Sequence, residues 1–510
     1  MTNSYQDTIV APATTHGTGA ISIVRLSGPD CFRIVDTVVK LAHGTVSDAE
    51  AYTIHFGKVY LPGKASPVIP SVTSPVIPSV ASSVIPSVAS PVIPSVAEGS
   101  LLDEVLVSVF RAPHSYTGED AVEISTHASS YIVQELIGLL LKAGARFAEP
   151  GEFTRRAFLN GKLDLAQAEA VADVISSTTA ASHRVAMNQL KGGFSKELAR
   201  LRSELLEMAS LLELELDFSE EDVEFADREK LLTLLDATRT HVDQLAASFH
   251  QGNMIKNGVP VAIVGAANAG KSTLLNALVG EERAIVTDIP GTTRDTIEEV
   301  INLDGILFRF IDTAGIRESE DTVENLGIER SFRKMAEAEV VLGMLDCTAG
   351  TDELAAQLAL LGQHLKQGSQ KLILLLNKVD LVDNSVYNKN VSVINKFVSS
   401  VDNEIDILTI SAQNGQGLDA LKQRLLALEK ALIPNQDSTF VTNVRHYEAL
   451  CQASSALQDC RTSLSRGIPS DLVAEDLRRA LSSINAILGT DLLDPETILH
   501  TIFSRHCIGK

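Results

Sequence analysis

The pattern of apolar and polar positions changes along the 510 residues of the chain. In the first 160 residues, short β-branched runs alternate with polar turns, which predicts strands such as Ala51 to Tyr60 and Leu101 to Phe110. From Leu163 to Phe249, apolar residues recur every three or four positions without a proline, which predicts long helices. Between about residues 259 and 434, apolar strands alternate with helices, as in a parallel α/β sheet.

These changes predict a multidomain fold that combines α/β and all-α parts. Residues 1–160 form an α+β N-terminal domain, 161–257 the first part of a helical domain, 258–434 an α/β nucleotide-binding domain, and 435–510 the second part of the helical domain. The amphipathic helices of the last part cannot bury their apolar faces alone, so we expect them to pack on the first part. The α/β domain is then inserted in one discontinuous helical domain.

Residues 66–97 are four copies of an eight-residue unit: SPVIPSVT, SPVIPSVA, SSVIPSVA and SPVIPSVA. Every unit contains proline, which cannot continue a sheet ladder or a helix. We therefore expect a disordered loop insertion between two strands, without a catalytic role.

The stretch from Val261 to Leu278 carries the first chemistry. An apolar strand leads into a small-residue loop and then into a helix, and Gly265, Gly270, Lys271 and Ser272 satisfy G-x-x-x-x-G-K-[ST]. Backbone N–H groups of such a loop converge on phosphate oxygens, the lysine adds a point charge, and the serine hydroxyl coordinates Mg²⁺. The alternative is a glycine-rich turn without a ligand, which this strand–loop–helix context disfavours.

Four more motifs follow in order, most of them at the end of a predicted strand. They are G-T-T-R-D with Thr292 and Thr293, D-x-x-G from Asp312 to Gly315, N-K-V-D from Asn377 to Asp380, and Ser411-Ala412. A threonine of G-T-T-R-D and Asp312 of D-x-x-G complete the Mg²⁺ site. A carboxylate at Asp380 accepts hydrogen bonds from the N1 and N2 edge of guanine, which adenine does not offer. The set predicts a Ras-like GTPase domain.

One residue of a Ras-type site is missing. Ras-type hydrolysis uses a glutamine after D-x-x-G to orient water, whereas this chain has Ile316. Another acid or ion must supply that role. Arg294, Arg317 and the acids from Glu318 to Glu324 are candidates, and the residues alone do not choose among them.

Composition restricts the remaining functions. The net charge of −22 argues against broad, unassisted binding to a phosphate backbone. The five cysteines form no C-x-x-C pair, and the longest apolar runs are too short to span a bilayer, so we expect a cytoplasmic protein without a membrane segment. Glu123 lies within an apolar strand; sequence alone favours an exposed edge position over a functional acceptor.

Motifs across nearly the whole chain resemble those of the MnmE (TrmE) family of tRNA modification GTPases. In the first half they are D-T-I-V-A at Asp7, S-Y-T-G-E-D at Ser115, P-G-E-F-T-x-R-A-F-L-N at Pro150, K-L-D-L-A-Q-A-E-A at Lys162 and L-D-F-S-E-E at Leu216. Later ones are N-A-G-K-S-T-L-L-N-A-L at Asn268, V-T-D-I-P-G-T-T-R-D at Val286, D-T-A-G-I-R-E at Asp312 and the terminal C-I-G-K.

The resemblance implies a homodimer whose N-terminal domain binds tetrahydrofolate and dimerises. It also implies a heterotetramer with the flavoprotein MnmG, which uses FAD and NADH. Together such proteins add an aminomethyl or carboxymethylaminomethyl group to C5 of the tRNA wobble uridine, with 5-formyl- or 5,10-methylene-tetrahydrofolate as the one-carbon donor.

The resemblance also assigns residues by position. Asn268, Thr287, Ile289 and Thr292 would bind a K⁺ ion that replaces an arginine finger, and Glu324 would orient the attacking water. The catalytic set is then Glu324, Asn268 and Thr293, and the Mg²⁺ ligands are Ser272, Thr293 and Asp312. The GTP site comprises Asn268, Ala269, Gly270, Lys271, Ser272, Thr273, Thr287, Thr293, Asp312, Gly315, Asn377, Lys378, Asp380, Ser411 and Ala412. Tetrahydrofolate would contact Arg25, Glu123, Lys162 and Lys510, which reverses the interpretation of Glu123 as an edge residue.

Two other functions are weighed against this one. A ribosome-assembly GTPase of the Era or EngA type would need a KH domain with G-x-x-G or a second phosphate loop, and the sequence has neither. A regulatory switch that dimerises on GTP without RNA chemistry is the third hypothesis.

Overall fold

The computed structural model describes residues 7–15, 17, 19–62, 99–217, 228–281, 299–311, 335–366, 370–401, 405–432, 439–490 and 509. The chain divides into two compact units, Met1–Asp164 with Asp494–Lys510, and Leu165–Leu493. Gly509 is the described residue of the C-terminal segment in the first unit. The 66–97 repeat lies outside the described residues.

The first unit is a seven-stranded sheet with helices. Its elements are β1 Ile9–Pro12, β2 Ile21–Ser27, α1 Cys31–Val38, β3 Val39–Leu41, β4 Thr53–Tyr60, β5 Leu101–Phe110, β6 Ala121–His127, α2 Ser130–Lys142, β7 Arg146–Phe147 and α3 Glu152–Leu159. The strand order is β3-β4-β5-β6-β2-β1-β7, antiparallel except for the β1–β7 pair. The two strands predicted at 51–60 and 101–110 are β4 and β5.

The sheet of the first unit buries one face and exposes the other. In β5, Val105, Val107 and Val109 point into a core shared with α1 and α2. The alternate positions expose apolar side chains instead, because side chains on a strand alternate between faces. Ile54, Phe56 and Leu106 are 68%, 45% and 47% exposed, which leaves an open apolar surface on β4 and β5.

The second unit contains a bundle of helices and a second sheet. The bundle comprises α4 Leu165–Ser176, α5 Ala180–Leu190, α6 Gly193–Asp217 and α7 Arg228–Asn257, and, after the sheet in sequence, the two helices Val444–Ser465 and Ser470–Leu488. The predicted apolar row on α6 is buried at Leu198, Leu201, Leu205, Met208 and Leu212. The two late helices share its core, as the predicted helical periodicity requires.

The second sheet has six strands in the order β13-β12-β11-β8-β10-β9. These are β8 Val259–Gly265, β9 Glu299–Leu303, β10 Ile306–Ile311, β11 Val340–Asp346, β12 Lys371–Asn377 and β13 Ile405–Thr409, with helices α8 Lys271–Glu281, α9 Thr351–His364, α10 Asn384–Val398 and α11 Leu418–Leu432. The helices Val444–Ser465 and Ser470–Leu488 are therefore α12 and α13. Only the β9–β10 pair is antiparallel. The carboxyl ends of the parallel strands consequently meet at one edge, where such folds bind ligands.

Helices α4 and α5 contact both ends of the chain segment that forms this sheet. Lys256, at the end of α7, forms an ion pair of 2.7 Å with Asp173 of α4. Gln189 of α5 is buried and donates to the Phe440 carbonyl at 3.0 Å and to Thr442 Oγ1 at 3.1 Å. The sheet is therefore connected to the helices by polar contacts where the chain reaches it and where the chain leaves it.

Candidate functional site

The phosphate loop lies between β8 and α8, as the motif predicts. Gly270 has φ +102°, and a Cβ there would clash with the Asn377 side chain. A Cβ at Gly265 would clash with the Met344 carbonyl oxygen of β11. Both motif glycines are thus required by close approach of neighbouring strands, and Gly270 also by its left-handed conformation.

Lys271 closes over this loop. Its ammonium donates to the carbonyl oxygens of Gly265 at 2.7 Å and Ala266 at 2.8 Å, and burial lowers its pKa. Lys271, Ser272 and Thr273 form the first turn of α8, where the positive end of the helix dipole favours an anion. The loop therefore has the geometry and the charge to hold phosphate oxygens.

Asn377 connects the phosphate loop to the predicted base-binding loops. It lies at the end of β12 and is buried. Its Nδ2 donates to the Ala269 carbonyl at 2.8 Å, and its Oδ1 accepts the backbone N–H of Ala412 at 2.9 Å. Three motifs that are far apart in sequence are thus held together by one amide side chain.

The remaining predicted base-binding residues lie beside it. Lys378 has φ +62° and begins a short turn that ends at Leu381, and Asp380 is exposed within that turn. The Asp380 Oδ2 atom accepts from Asn414 Nδ2 at 3.1 Å. Ser411 donates its N–H to the Gln416 carbonyl at 3.0 Å. The sequence does not predict the contact from Asn414, although the Asn414-Gly415 pair, which follows Ser-Ala after one residue, is a turn signal.

A second polar cluster lies in the first unit on neighbouring strands. Arg25 of β2 and Glu123 of β6 are register partners, and the guanidinium donates to Glu123 Oε1 at 2.9 Å from Nε and 2.7 Å from Nη2. The edge interpretation of Glu123 is wrong, because β6 is hydrogen-bonded to β5 on one side and to β2 on the other. Glu123 is instead half of an ion pair in the middle of the sheet.

Two rings and the chain end complete this cluster. The Arg25 guanidinium lies 5.4 Å from the centre of the Tyr116 ring and 5.7 Å from that of Phe153, both cation–π distances. Its Nη1 donates to the Gly509 carbonyl at 3.3 Å. Gly509 has φ +93°, and a Cβ there would clash with the Pro12 carbonyl oxygen of β1. Only glycine fits at that place in the terminal C-I-G-K motif.

Lys162 lies beside the loop that carries Tyr116. Its ammonium donates to the Pro113 carbonyl at 3.1 Å, and its stem would be 3.2 Å from a Cβ built on Gly118. Gly118 has φ +80°. Lys162 is exposed, so its charge is available to a ligand on that side of the loop.

An ion network that sequence reasoning missed supports the cluster. Arg156 and Glu152 of α3 are both fully buried and 3.0 Å apart, and Arg156 also contacts Asp7 at 2.8 Å and Glu119 at 3.2 Å. Arg146 donates to Glu152 at 2.5 Å. Burial acts to raise the Glu152 pKa, but the hydrogen bonds from Arg146 and other partners hold it below its usual range. The neighbouring Thr154 hydroxyl contacts Tyr116 Oη at 2.8 Å. The P-G-E-F-T-x-R-A motif contained these residues without indicating their roles.

The other predicted site residues lie outside the described residues: Thr287, Ile289, Thr292, Thr293, Asp312, Gly315, Glu324 and Lys510. The loop candidates Arg294, Arg317 and Glu318 to Glu324 also lie there, as does Cys507, the first residue of the terminal C-I-G-K motif. No helix within the described ranges is long and apolar enough to cross a membrane.

Two family models match the chain. The model of the GTP-binding protein TrmE N-terminus matches residues 8–162, and that of the MnmE helical domain matches residues 165–507. A tRNA modification GTPase MnmE from Bacteroides fragilis is 46% identical over 99% of this chain and 100% of that protein. Another from Phocaeicola vulgatus is 48% identical over 99% of each. A solved GTP-binding protein from Sulfolobus solfataricus in complex with GDP is 19% identical, covers 46% of this chain and 67% of that one, and has a TM-score of 0.27.

Proposed function

The chain belongs to the MnmE family of tRNA modification GTPases, and from that premise we propose that it is a K⁺-activated GTPase acting on the tRNA wobble uridine. As a member of the family it is a GTP hydrolase with a role in tRNA modification. Together with an MnmG-type flavoprotein that holds FAD and uses NADH, it adds an aminomethyl or carboxymethylaminomethyl group to C5 of that uridine. A 5-formyl- or 5,10-methylene-tetrahydrofolate supplies the carbon.

The Arg25 cluster is the observation that carries the tetrahydrofolate part of this proposal. A pterin edge presents adjacent N–H donors, and the Glu123 carboxylate is an acceptor only 25% exposed, so that such an edge is largely shielded from water when it binds. Lys162 offers a positive charge beside the same loop, which suits the carboxylates of a folate tail. Lys510 follows Gly509, whose carbonyl accepts from Arg25, so the terminal lysine belongs to the same ligand set.

The GTP part rests on the phosphate loop and on Asn377. Lys271 and the first turn of α8 bind the phosphates. Ser272, Thr293 and Asp312 would hold Mg²⁺. The Asp380 carboxylate accepts hydrogen bonds from guanine. Thr273, Ala269 and Gly270 complete the loop, and we assign Thr287 and Gly315 to contacts with the γ-phosphate. We assign Ser411 and Ala412 to the loop beside the guanine carbonyl, and their own N–H groups donate to the Gln416 carbonyl and to Asn377 Oδ1. The Asn377 contacts hold these loops in one arrangement before nucleotide binds, which reduces the ordering cost of binding.

Hydrolysis in this proposal needs K⁺, because the chain has Ile316 where Ras-type enzymes have glutamine. Asn268, Thr287, Ile289 and Thr292 hold the ion, whose charge stabilises negative charge developing on the γ-phosphate. Asn268 is exposed at φ +61° on the loop, which suits a residue that faces a second GTPase domain. Glu324 orients the attacking water, and Thr293 completes the catalytic set.

The protein in this proposal is a cytoplasmic homodimer that joins MnmG in a heterotetramer. The domains are 1–160, 161–257, 258–434 and 435–510, with the GTPase domain inserted in a discontinuous helical domain. The core shared by α6, α7, α12 and α13 supports that insertion. The exposed apolar side chains of Ile54, Phe56 and Leu106 support dimerisation through the N-terminal sheet, since large exposed apolar patches mark protein interfaces.

The test compares GTP turnover of the full chain in K⁺ and in Na⁺ at equal ionic strength. We expect turnover at least tenfold faster in K⁺, which corresponds to about 1.4 kcal/mol of transition-state stabilisation by the charge of the ion. Asn268→Ala should lower the ratio of the K⁺ rate to the Na⁺ rate to about one. Asn276→Ala, on an exposed position of α8, is the matched control and should keep both. Equal wild-type rates in the two salts would contradict the K⁺ mechanism.

A further inference from the structure

We propose that Asp346 is a positioning residue for guanine recognition, because it holds the Lys378 side chain beside the base and away from Asp380. Asp346 lies in none of the nucleotide motifs. The inference rests on the proposed guanine site, in which Asn377, Lys378 and Asp380 bind the base. It adds the residue that decides where the lysine of that motif goes.

The sheet brings the two residues together. Strands β11 and β12 are parallel neighbours, and Asp346, the last residue of β11, is the register partner of Asn377, the last residue of β12. Lys378 comes next and has φ +62°. Its ammonium lies 2.6 Å from Asp346 Oδ2, with side-chain exposures of 31% and 18%. A partly buried pair of this kind is screened less than a surface pair.

Asp346 is itself fixed by its surroundings. Its other oxygen, Oδ1, accepts from the Thr348 N–H at 2.8 Å and from Thr348 Oγ1 at 2.7 Å. Cys347 donates its N–H to the Asn377 carbonyl at 3.0 Å and accepts from Asn390 Nδ2 at 2.9 Å. Asn390 is buried in α10. The carboxylate therefore stands on a loop that is hydrogen-bonded to β12 and to α10.

The charge of Asp346 suits this role. Burial acts to raise its pKa, but hydrogen bonds from Lys378 and Thr348 outweigh burial and hold the pKa below its usual range. The carboxylate is therefore ionised at neutral pH and keeps the ammonium bound. Each oxygen already has partners, so the pair has one strongly preferred geometry.

Two consequences for nucleotide binding follow. A lysine side chain loses rotamer entropy when it is ordered, and the ion pair with Asp346 already orders that of Lys378. Lys378 is also only two residues from Asp380, whose carboxylate must stay available to the guanine N–H groups. Without Asp346, the ammonium is free to pair with Asp380 and to compete with the base.

The experiment measures GDP, IDP and XDP affinity of the full chain by calorimetry. We expect Asp346→Asn to weaken GDP and IDP about tenfold each, because both lose the ordered lysine. At saturating GTP, kcat should be unchanged while KM rises. Asp346→Glu keeps the charge and should restore affinity to within about threefold. Asp406→Asn is the matched control. It removes another carboxylate of the same sheet, which pairs with Arg424, and should leave GDP and IDP affinity unchanged.

A double-mutant cycle keeps the test decisive if Asp346→Asn alone folds poorly. In Lys378→Met, which keeps the alkyl stem without the ammonium, the further change Asp346→Asn should add no loss of GDP affinity. An undiminished tenfold loss in that background would overturn the inference, as would wild-type GDP affinity in Asp346→Asn. Asp380→Asn tests the guanine site independently of Asp346, because an amide at this position should turn the nucleotide preference from GDP toward XDP. If that switch does not occur, the guanine assignment fails, and with it this inference.

Discussion

The phosphate loop and the Arg25 cluster are built in different ways although both lie on a sheet. The loop uses consecutive residues from Gly265 to Ser272 and mostly their backbone groups. The cluster uses side chains from β2, β6 and α3 and a carbonyl at Gly509, 484 positions from Arg25. The first site is thus built by local chain geometry, and the second by the tertiary fold.

The difference lies in what each site can tolerate. A backbone site depends on positions where a Cβ has no room, such as Gly270, and little on the intervening side chains. A side-chain site depends on what holds those side chains, here the buried Arg156 and Glu152 under Phe153 and Tyr116. Substitutions should therefore affect ligand binding at one site without changing it at the other. The largest effects are expected where the backbone leaves no room for another side chain.

The largest effect is expected from Gly270→Ala. The new Cβ would clash with the Asn377 side chain, and φ +102° is strained for alanine, so the loop cannot keep its shape. GTP affinity should fall about 1,000-fold, or roughly 4 kcal/mol, with tetrahydrofolate affinity unchanged, as titration calorimetry would show. Gly280→Ala, near the end of α8 with open space around it, is the control and should bind GTP normally.

Next is Glu152→Gln, which breaks the network under the Arg25 cluster. Removing one charge of a fully buried ion pair should lower the free energy of unfolding of the N-terminal unit by about 3 kcal/mol. Calorimetric unfolding measures it, and Glu149→Gln, an exposed partner of Arg155, should cost less than about 1 kcal/mol. GTP affinity should not change in either variant; a parallel loss of GTP binding would contradict the separation of the two sites.

The Glu152 carboxylate also makes the stability of the N-terminal unit depend on pH. Because the folded pKa of Glu152 is depressed, its stabilising contribution is complete above its ordinary value of 4.5. That contribution is lost as the pH falls below 4.5 and through the folded pKa. The wild-type N-terminal unit should therefore lose stability in that acid range, and Glu152→Gln should lose less of it. Equal acid sensitivity of the two proteins would show that Glu152 does not cause the loss of stability at low pH.

Arg25→Ala should weaken 5-formyl-tetrahydrofolate about 100-fold, because it removes a charged hydrogen-bond donor and leaves Glu123 unpaired. Fluorescence or calorimetric titration of the full chain gives the affinity. Arg33→Ala, which removes an exposed arginine paired with Asp30, should bind like wild type. Intrinsic GTP turnover should be the same in both variants, and unchanged folate affinity in Arg25→Ala would remove the cluster as a folate site.

The smallest effect is expected from Glu123→Gln. The amide keeps the shape and one acceptor oxygen but loses the charge, so folate affinity should fall about tenfold. Its stability cost should stay below about 1 kcal/mol, because the pair is partly solvent-exposed. Glu104→Gln, from an exposed pair with Lys58, controls for loss of charge on the sheet. A loss as large as that of Arg25→Ala would mean that Glu123 is the main ligand.

The same contrast explains what the sequence could predict. Strand–loop–helix order, the motif glycines and the strand ends carrying Asn377 and Ser411 are local patterns, and the structure has them where they were predicted. The apolar row of α6 is equally local, and its periodicity predicts the buried face of a long helix.

Long-range pairing could not be predicted from local patterns. The sequence around Glu123 favours an edge position because the sequence of a single strand does not determine which strands pair with it. In the structure, β6 lies between β5 and β2. The buried Arg156 was hidden for the same reason, since a charged residue is expected at the surface unless its partners are known. Those partners come from residues 7, 119 and 152.

Nucleoside mass spectrometry of tRNA tests the central claim most directly. A bacterium that lacks its own gene of this family would be complemented with this chain or with its Gly270→Ala and Arg25→Ala variants. We expect the wild-type chain to restore the C5 modification of the wobble uridine and both variants to fail, because each removes one of the two sites. An unaltered wobble-uridine profile without the gene, or full restoration by Gly270→Ala, would contradict the account.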